Sequence, residues 1–259
     1  MRSRIAVRAT LRFVVTLHIA SASLVTFAQA GSPVFALSPL SPGTTLPVRL
    51  THQLKAGSSK AGSTFFATTT QRIPLTLNSF LPPGTEIVGH VVNSQTASSP
   101  AAPSTLTLRF TEIRYKGQIL PIAARTLAIA NFVQVMDAAE IASGSTDRGN
   151  PSPANWTTDQ VGGDQVYRSG WVGNVYSSSS HKIGFADYHG VYALPASPKE
   201  VPLALGVFSS TSTGLYGFSN TTRLQENGSD TIVTDPAHRV ALRKGDNLLL
   251  QILPPIAGK

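Results

Sequence analysis

The chain has 259 residues, no cysteine and only 13% charged residues, about half the share found in an average globular protein. The absence of cysteine excludes disulfides, thiolate catalysis, cysteine-ligated metals and a lipid-modified cysteine. The formal net charge is +8, but the basic residues form no run interleaved with aromatic side chains, which argues against nucleic-acid binding.

The first thirty residues have the pattern of a secretory signal peptide. Four arginines precede a mostly apolar stretch from Phe13 to Phe27, and Ala28-Gln29-Ala30 fits the small-x-small cleavage pattern. The apolar stretch is shorter and more polar than the about 20 residues that a membrane helix needs. We therefore expect export to the periplasm, the outer envelope or the extracellular space, and no transmembrane helix after cleavage. An uncleaved N-terminal anchor is the alternative.

Removal of residues 1–30 changes the charge balance of the remaining chain. The signal holds four of the 21 Lys and Arg and none of the 13 Asp and Glu, which leaves 17 against 13, a net charge of +4. Residues 31–259 are long enough to bury a core without covalent cross-links. We expect them to form a single β domain with an insertion at about residues 140–176.

Short runs rich in apolar and β-branched residues follow from residue 45 onward, separated by Gly, Pro and Asn. In three of these runs every second residue is apolar, as expected for strands with one buried face; these residues are Leu46, Val48 and Leu50, then Ile73, Leu75 and Leu77, then Leu106, Leu108 and Phe110. Many short strands with frequent turn signals predict a mainly β fold, an antiparallel β-barrel or sandwich.

Two later segments allow more specific predictions. Asn131 to Ser143 spaces its alanines as a helix would, but its Phe and Val residues suit a strand equally well. Near the C-terminus, Val240 and Leu242 precede a Lys-Gly-Asp turn, and Leu248, Leu250 and Ile252 alternate after it. This pattern predicts a terminal β-hairpin.

A long polar stretch, Gly144 to Asn174, interrupts the strand pattern. It is rich in Gly, Asn and Asp and contains both tryptophans of the chain. Because tryptophan argues against disorder, we expect an ordered loop packed on the β domain. The alternative is a surface that stacks on a sugar or a peptide, and its candidate contact residues are Trp156, Asp159, Asp164, Tyr167 and Trp171.

Metal and catalytic motifs are weak throughout the chain. His181, Asp187 and His189 lack the spacing of a zinc site, and the calcium-type oxygen donors Asp147, Asn150, Asp159 and Asp164 lack an EF-hand cadence. No G-x-S-x-G motif occurs after the signal, and no pair of acids carries a glycosidase signature. We therefore predict no catalytic residue, no metal site and no cofactor.

Three segments together resemble a known domain. They are "SPGTTLPVRLTHQLKAGSSKAGSTFFATT", "LPPGTEIVGHVVNS" and "VALRKGDNLLLQIL". In their order and turn glycines they are similar to the C-terminal β-barrel domain of TrbI-type channel subunits of conjugation and type IV secretion systems, and to secreted envelope proteins with the same barrel half. The resemblance covers about residues 41–127 and 238–253. It implies a barrel fold and a location in the envelope.

The sequence thus predicts a non-enzymatic, exported cell-envelope protein with a structural or binding role. Its expected partner is an envelope protein or a glycan. One alternative is a secreted hydrolase whose site forms only in three dimensions, and a cleft lined by several acids or histidines would favour it. The other alternative is a component of a secretion channel. The oligomeric state does not follow from the sequence.

Overall fold

A computed structural model describes residues 39–99, 101–139, 141–143, 156–168 and 170–254. In chain order the first strands are β1 Thr45–Leu50, β2 Leu54–Lys55, β3 Thr64–Thr69, β4 Ile73–Pro74, β5 Phe80–Leu81, β6 Glu86–Gln95, β7 Ser104–Tyr115, β8 Gln118–Pro121 and β9 Ala124–Ala130. Then come helix α1 Phe132–Ala139 and strands β10 Ile141–Ser143, β11 Trp156–Asp159, β12 Gln165–Arg168, β13 Gly173–Tyr176, β14 Lys182–Asp187, β15 Gly190–Ala193, β16 Leu203–Gly206, β17 Gly214–Tyr216, β18 Arg223–Asn227, β19 Asp230–Asp235, β20 Ala241–Leu242 and β21 Asn247–Ile252. The predicted mainly β fold is confirmed.

The larger sheet curls into a nearly closed barrel. Its strand order is β17-β9-β21-β1-β3-β6-β7-β19-β18, and β8 pairs with the second half of β7. All of its pairs are antiparallel except β17 with β9. Among the described residues, no helix has the length and hydropathy needed to cross a membrane.

The interior of this barrel holds the main hydrophobic core. The alternating leucines and valine of β1 and the apolar residues of β7 are buried there, as the sequence pattern predicted; they are Leu46, Val48, Leu50, Leu106, Leu108 and Phe110. Phe65 on β3 packs edge-on against Phe110, with 5.3 Å between ring centroids. Gly89 on β6 makes room for this pair, because a Cβ atom there would lie 2.3 Å from the Phe65 ring.

A second, seven-stranded sheet forms a half-barrel in the order β10-β11-β12-β13-β14-β15-β16. Where we expected a long packed loop, the described part of Gly144 to Asn174 thus contains strands. The strands of this second sheet are only three to six residues long. The polar residues in them obscure the alternation of apolar and polar side chains. On β12, for example, Val166 and Arg168 are buried whereas Gln165 and Tyr167 are exposed.

The loop after β3 fastens the second sheet to the barrel. The buried Gln71 side chain donates to the Val191 carbonyl and accepts from the Gly206 N–H. Arg72 binds the carboxylate of Asp187 at the end of β14. On β1, the Thr45 hydroxyl donates to the Ala204 carbonyl of β16 at 2.6 Å. These bonds fix the position of one sheet against the other.

Helix α1 connects the barrel to the second sheet. Residues 132–139, for which the sequence allowed a helix or a strand, are therefore helical. The first turn of α1 has two polar caps that satisfy otherwise free backbone N–H groups. The Asn131 side chain accepts from the Gln134 N–H, and the Asp246 carboxylate accepts from the Phe132 N–H, both at 3.0 Å.

The predicted terminal hairpin is wrong. The turn exists, with Gly245 at φ 97° and the Asp246 N–H bonded to the Arg243 carbonyl. However, β20 pairs with β2, while β21 pairs with β1 on one side and β9 on the other. Since both edges of β21 are already filled, β20 has no edge of β21 to join.

Candidate ligand-binding cavity

A cavity of about 280 Å³ lies where α1, the barrel and the second sheet meet, and we call it the junction cavity. The barrel contributes Arg49 of β1 and Asn247 of β21, and the helix contributes Val135 and Ala138. The second sheet adds side chains from β11, β12 and the turn between β14 and β15. This volume lies slightly below the range of about 300–1,000 Å³ that is typical of small-molecule sites.

Three buried polar atoms that face no partner belong to residues lining this cavity. They are Thr158 Oγ1, Arg168 Nε and Asn247 Oδ1. Within the described ranges, no other buried side-chain nitrogen or oxygen lacks a hydrogen-bond partner. The three residues are 7%, 5% and 3% exposed, respectively. Native proteins satisfy nearly all buried polar groups, so three exceptions in one cavity mark it as unusual.

Arg168 is a buried cation in the lining of the cavity. Its place on β12, two residues after the buried Val166, turns its side chain inward. Its Nη2 donates to the main-chain carbonyls of Trp171 at 2.8 Å and Asp187 at 3.4 Å. Burial lowers the pKa of Arg168, and the charge of Asp187 offsets this only in part, but a guanidinium remains protonated in proteins.

The carboxylate of Asp187 is already occupied by other donors. Its Oδ2 accepts from Arg72 Nε at 3.0 Å, from Arg72 Nη2 and from the Tyr192 hydroxyl at 3.3 Å. Its Oδ1 accepts from the His189 N–H at 2.7 Å. The bond to Asp187 raises the pKa of Arg72, and burial together with Asp187 raises the pKa of Tyr192 to about 12. The Asp187 side chain therefore neutralises Arg72 rather than Arg168.

The other two unpartnered groups come from different sheets. Thr158 on β11 lies between Ile141 of β10 and Val166 of β12 in the register of the second sheet. Asn247 begins β21 of the barrel, opposite Arg49 of β1. A hydroxyl can donate or accept, whereas the amide oxygen of Asn247 only accepts. The residues that line the cavity thus include a cation, a hydroxyl and an amide.

The structure separates the five contact residues predicted from the sequence. Trp171 is 53% exposed and lines the junction cavity. Asp159, Asp164 and Tyr167 are exposed at or near the hairpin of β11 and β12, where the Asp159 carboxylate accepts from Gln165 Nε2 at 3.2 Å. Trp156 begins β11, opposite Arg168, and its side chain lies outside the described residues.

The metal-ligand candidates do not form a common site among the described residues. Asp187 binds Arg72, whereas His181 lies in the turn before β14 and its Nδ1 is 3.0 Å from Ser179 Oγ. No group of three His, Asp or Glu side chains in the described ranges is placed to hold a metal ion. Asp147 and Asn150, two of the calcium candidates, lie outside those ranges.

A second cavity, of about 410 Å³, bears on the hydrolase alternative because Asp235, His238 and Asp246 line it. Asp235 accepts from the hydroxyls of Thr221 and Thr222 and from the N–H groups of Ala237 and His238. Asp246 accepts from backbone N–H groups of α1 and of the turn before β21. Both carboxylates therefore hold loops and a helix end in place.

Sequence analysis missed Arg168, Thr158 and Asn247. An arginine between polar residues in a Gly-rich stretch suggests an exposed side chain, and nothing near Asn247 indicates a site. The one available signal was the alternation of Val166 with Arg168, which places both on the same face of a strand. It is visible only once β12 is known to be a strand.

Comparisons with known proteins assign no family to the chain. No protein-family model, curated protein or solved structure matches it. The resemblance to TrbI-type barrels therefore stays a prediction from sequence. Arguments about function rest on the geometry of the cavities.

Proposed function

We propose that this chain is a non-enzymatic binding protein of the cell envelope, and that it holds a small polar molecule in the junction cavity. The observation that carries the proposal is a cavity between α1, the barrel and the second sheet whose lining includes two arginines, Arg49 and the buried Arg168. The signal-like first thirty residues support the envelope location. The TrbI-type resemblance supports the same location.

The energetic argument starts from the cost of an unsatisfied buried group, about 1–3 kcal/mol each. Three such groups together cost several kcal/mol, a large share of the about 5–15 kcal/mol by which a typical domain is stable. The three atoms have almost no accessible surface, so a bound molecule reaches them only when the side chains around them move. Such a movement on binding would recover part of this cost.

Binding is favoured over catalysis because the acids near both cavities already have structural partners. Asp187 accepts from Arg72, Tyr192 and His189. Asp235 has four hydrogen-bond donors, which hold it ionised and make it a weak base. A hydrolase would need one of these carboxylates to give up its partners.

The proposal can be tested by filling the cavity. Ala138 of α1 is buried and lines it, so Ala138→Leu places extra side-chain atoms in the binding space. Met136→Leu is the control, because Met136 lies on the same helix and is 48% exposed. Each purified full-length protein would be mixed with a pool of small acids, amines and sugars, and binding followed by ligand-observed NMR.

We expect at least one compound to bind wild type and Met136→Leu, and to lose binding in Ala138→Leu. Binding that is unchanged in Ala138→Leu would place the ligand elsewhere and contradict the proposal. If no compound in the pool binds wild type, the proposal also fails.

A further inference from the structure

We propose that helix α1 and the basic turn beside it form a docking surface for an anionic phospholipid membrane. The surface consists of the exposed apolar residues of α1, Phe132, Val133 and Met136, and of three cations that line the second cavity, Arg239, Arg243 and Lys244; we call it the α1 surface. The inference does not depend on the molecule held in the junction cavity, because different residues of α1 line the two cavities.

Helix α1 carries apolar residues on both of its sides. On the inner side, Val135 and Ala138 pack in a cluster with residues of both sheets. On the outer side, Phe132, Val133 and Met136 are 51%, 60% and 48% exposed. Met136 follows the other two by four and three residues, so the three side chains share one face. A helix that is apolar on both sides is usually covered on both, and this outer face has no cover within the described chain.

The exposed ring of Phe132 lies beside the turn that carries Arg243 and Lys244. The Phe132 N–H donates to the carboxylate of Asp246 in this turn at 3.0 Å. A Cβ atom added to Gly245, also in the turn, would lie 3.0 Å from the Phe132 ring. Phe132 and both cations line the second cavity. The apolar face and the basic turn therefore belong to one continuous surface.

The accessible charges of the second cavity are positive. Arg239, Arg243 and Lys244 are exposed and line it. In the described part of the chain, no Asp or Glu oxygen lies within ion-pairing distance of these three side chains. The acids in the same lining, Asp235 and Asp246, are only 2% and 1% exposed. An incoming surface therefore meets three cations, which favours an anionic partner.

A membrane matches this arrangement better than a peptide does. Lipid phosphates attract Lys and Arg, and exposed apolar side chains of a helix insert at the level of the headgroups. The cavity of about 410 Å³ leaves room for a headgroup beside the cations. Peptides bind in grooves or along strand edges, whereas the apolar residues of α1 project into solvent. Asp137, the exposed acid next to Met136, lies outside the cavity lining and is outnumbered by the cations.

Such docking is peripheral and reversible. A few apolar side chains and three cations give an attachment far weaker than that of a membrane-spanning helix. Salt screens the electrostatic part of the attraction. We therefore expect a salt wash without detergent to release the protein from the membrane.

The test is co-sedimentation of the purified full-length protein with vesicles of phosphatidylglycerol and phosphatidylcholine in equal parts, and with vesicles of phosphatidylcholine alone. We expect binding to the anionic vesicles only, and its loss at high salt. Any contribution of residues 1–30 is the same in every variant, so comparisons between variants isolate the α1 surface.

Two pairs of variants locate the contact. Val133→Ser should weaken binding about tenfold, because apolar groups no longer enter the membrane. Ile119→Ser on β8 is the matched control, since Ile119 is 61% exposed and lies outside the α1 surface. Lys244→Glu should weaken binding about thirtyfold, because it changes the charge by two units. Lys182→Glu makes the same change on an exposed residue of β14 and should leave binding nearly unchanged.

A local readout does not depend on total binding. In Phe132→Trp, the added tryptophan should shift its fluorescence to shorter wavelength with anionic vesicles, measured as the difference from wild type. In Ile119→Trp, no shift is expected. Three results would overturn the inference: equal binding to vesicles of phosphatidylcholine alone, losses in Val133→Ser and Lys244→Glu no larger than in their controls, or no shift in Phe132→Trp. Displacement from the vesicles by hexaglutamate at low salt-equivalent concentration would also overturn it and assign the surface to an acidic protein segment.

Discussion

At the residue scale, the carboxylate of Asp187 interacts with two arginines, Arg72 and Arg168. Arg72 binds the carboxylate of Asp187, and Arg168 interacts with the charge of that carboxylate while its Nη2 donates only to the Asp187 main-chain carbonyl. Because Asp187 is 6% exposed, its negative charge stabilises both cations through a medium of low dielectric constant. Loss of this carboxylate would leave Arg72 without its ion-pair partner and would remove the nearby charge that partly offsets the burial of Arg168.

We therefore expect Asp187→Asn to lower the free energy of unfolding by about 1.5–3 kcal/mol, the range for hydrogen bonds to a charged group, because Asp187 is buried while Arg72 is 38% exposed. Asp230→Asn is the control, because Asp230 pairs with the more exposed Arg109; such a surface pair is worth about 1 kcal/mol or less. Urea denaturation of both variants and wild type measures the difference. Equal losses in the two variants would contradict the assigned role of Asp187.

Asp235 predicts a pH dependence of stability. Burial would raise its pKa, but four hydrogen bonds outweigh this effect and lower the pKa from 3.8 to about 2. The folded state therefore favours the ionised form, and its contribution is complete above about pH 4. It is lost as the pH falls toward 2.

In wild type, we expect Asp235 to contribute on the order of 2 kcal/mol above pH 4. Urea unfolding of wild type and Asp235→Asn at pH 5 and at pH 2.5 tests this. The gap in stability between the two proteins should shrink at the lower pH. A gap that stays constant with pH would show that the ionised carboxylate is not what stabilises this loop.

Local sequence predicted little of the candidate site at this scale. Trp171 was identified because an aromatic residue in a Gly-rich stretch is unusual. Arg168 was not, because its burial depends on Asp187 of β14, a pairing that local patterns do not encode. Asn247 lines the cavity from β21, whose neighbours β1 and β9 are distant in sequence.

At the scale of elements, the close approach of β3 and β6 depends on Gly89. A Cβ atom at this position would meet both the Phe65 ring and the Arg109 carbonyl, at 2.3 Å and 2.9 Å. We expect Gly89→Ala to lower the free energy of unfolding by about 1–3 kcal/mol through overpacking.

The double variant Gly89→Ala/Phe65→Leu tests whether the clash with the Phe65 ring causes this loss of stability. Removing the ring relieves one of the two clashes, so the double variant should lose less than the sum of the single losses. Chemical denaturation of the four proteins gives the coupling energy. Strict additivity would mean that the ring does not press on this position.

Two of the three alternating runs were predicted well. β1 and β7 bury every second residue in the barrel, so their leucines alternate visibly in the sequence. The third run was not, because only Ile73 and Pro74 form a strand and Leu77 is 75% exposed. The strands of the second sheet are short, and the first of them are rich in polar residues. The hairpin prediction failed for a topological reason: adjacent strands in sequence pair only when an edge is free, and β21 has none.

At the scale of the whole molecule, the proposed envelope role predicts processing of the chain. We expect cells that make the full-length protein to release it from the envelope without detergent, with Gly31 as its first residue. Peptide mass spectrometry of the purified protein measures the N-terminus. A protein that keeps residues 1–30 and needs detergent would support the alternative of an uncleaved anchor.

Light scattering after size exclusion of the same preparation tests the channel alternative. The proposed binding role requires no ring, so we expect a mass near that of one processed chain. A particle of many copies would contradict this and favour a secretion-channel component.

The central place of β21 also has a consequence for the order of events during synthesis. Residues 247–252 fill the gap between β1 and β9, so the larger sheet stays split until they have left the ribosome. Pairing the two ends of the described chain is slow, because a long loop must close first. A polypeptide that cannot complete its barrel early stays unfolded for longer. An export channel that accepts only unfolded chains would require such a delay.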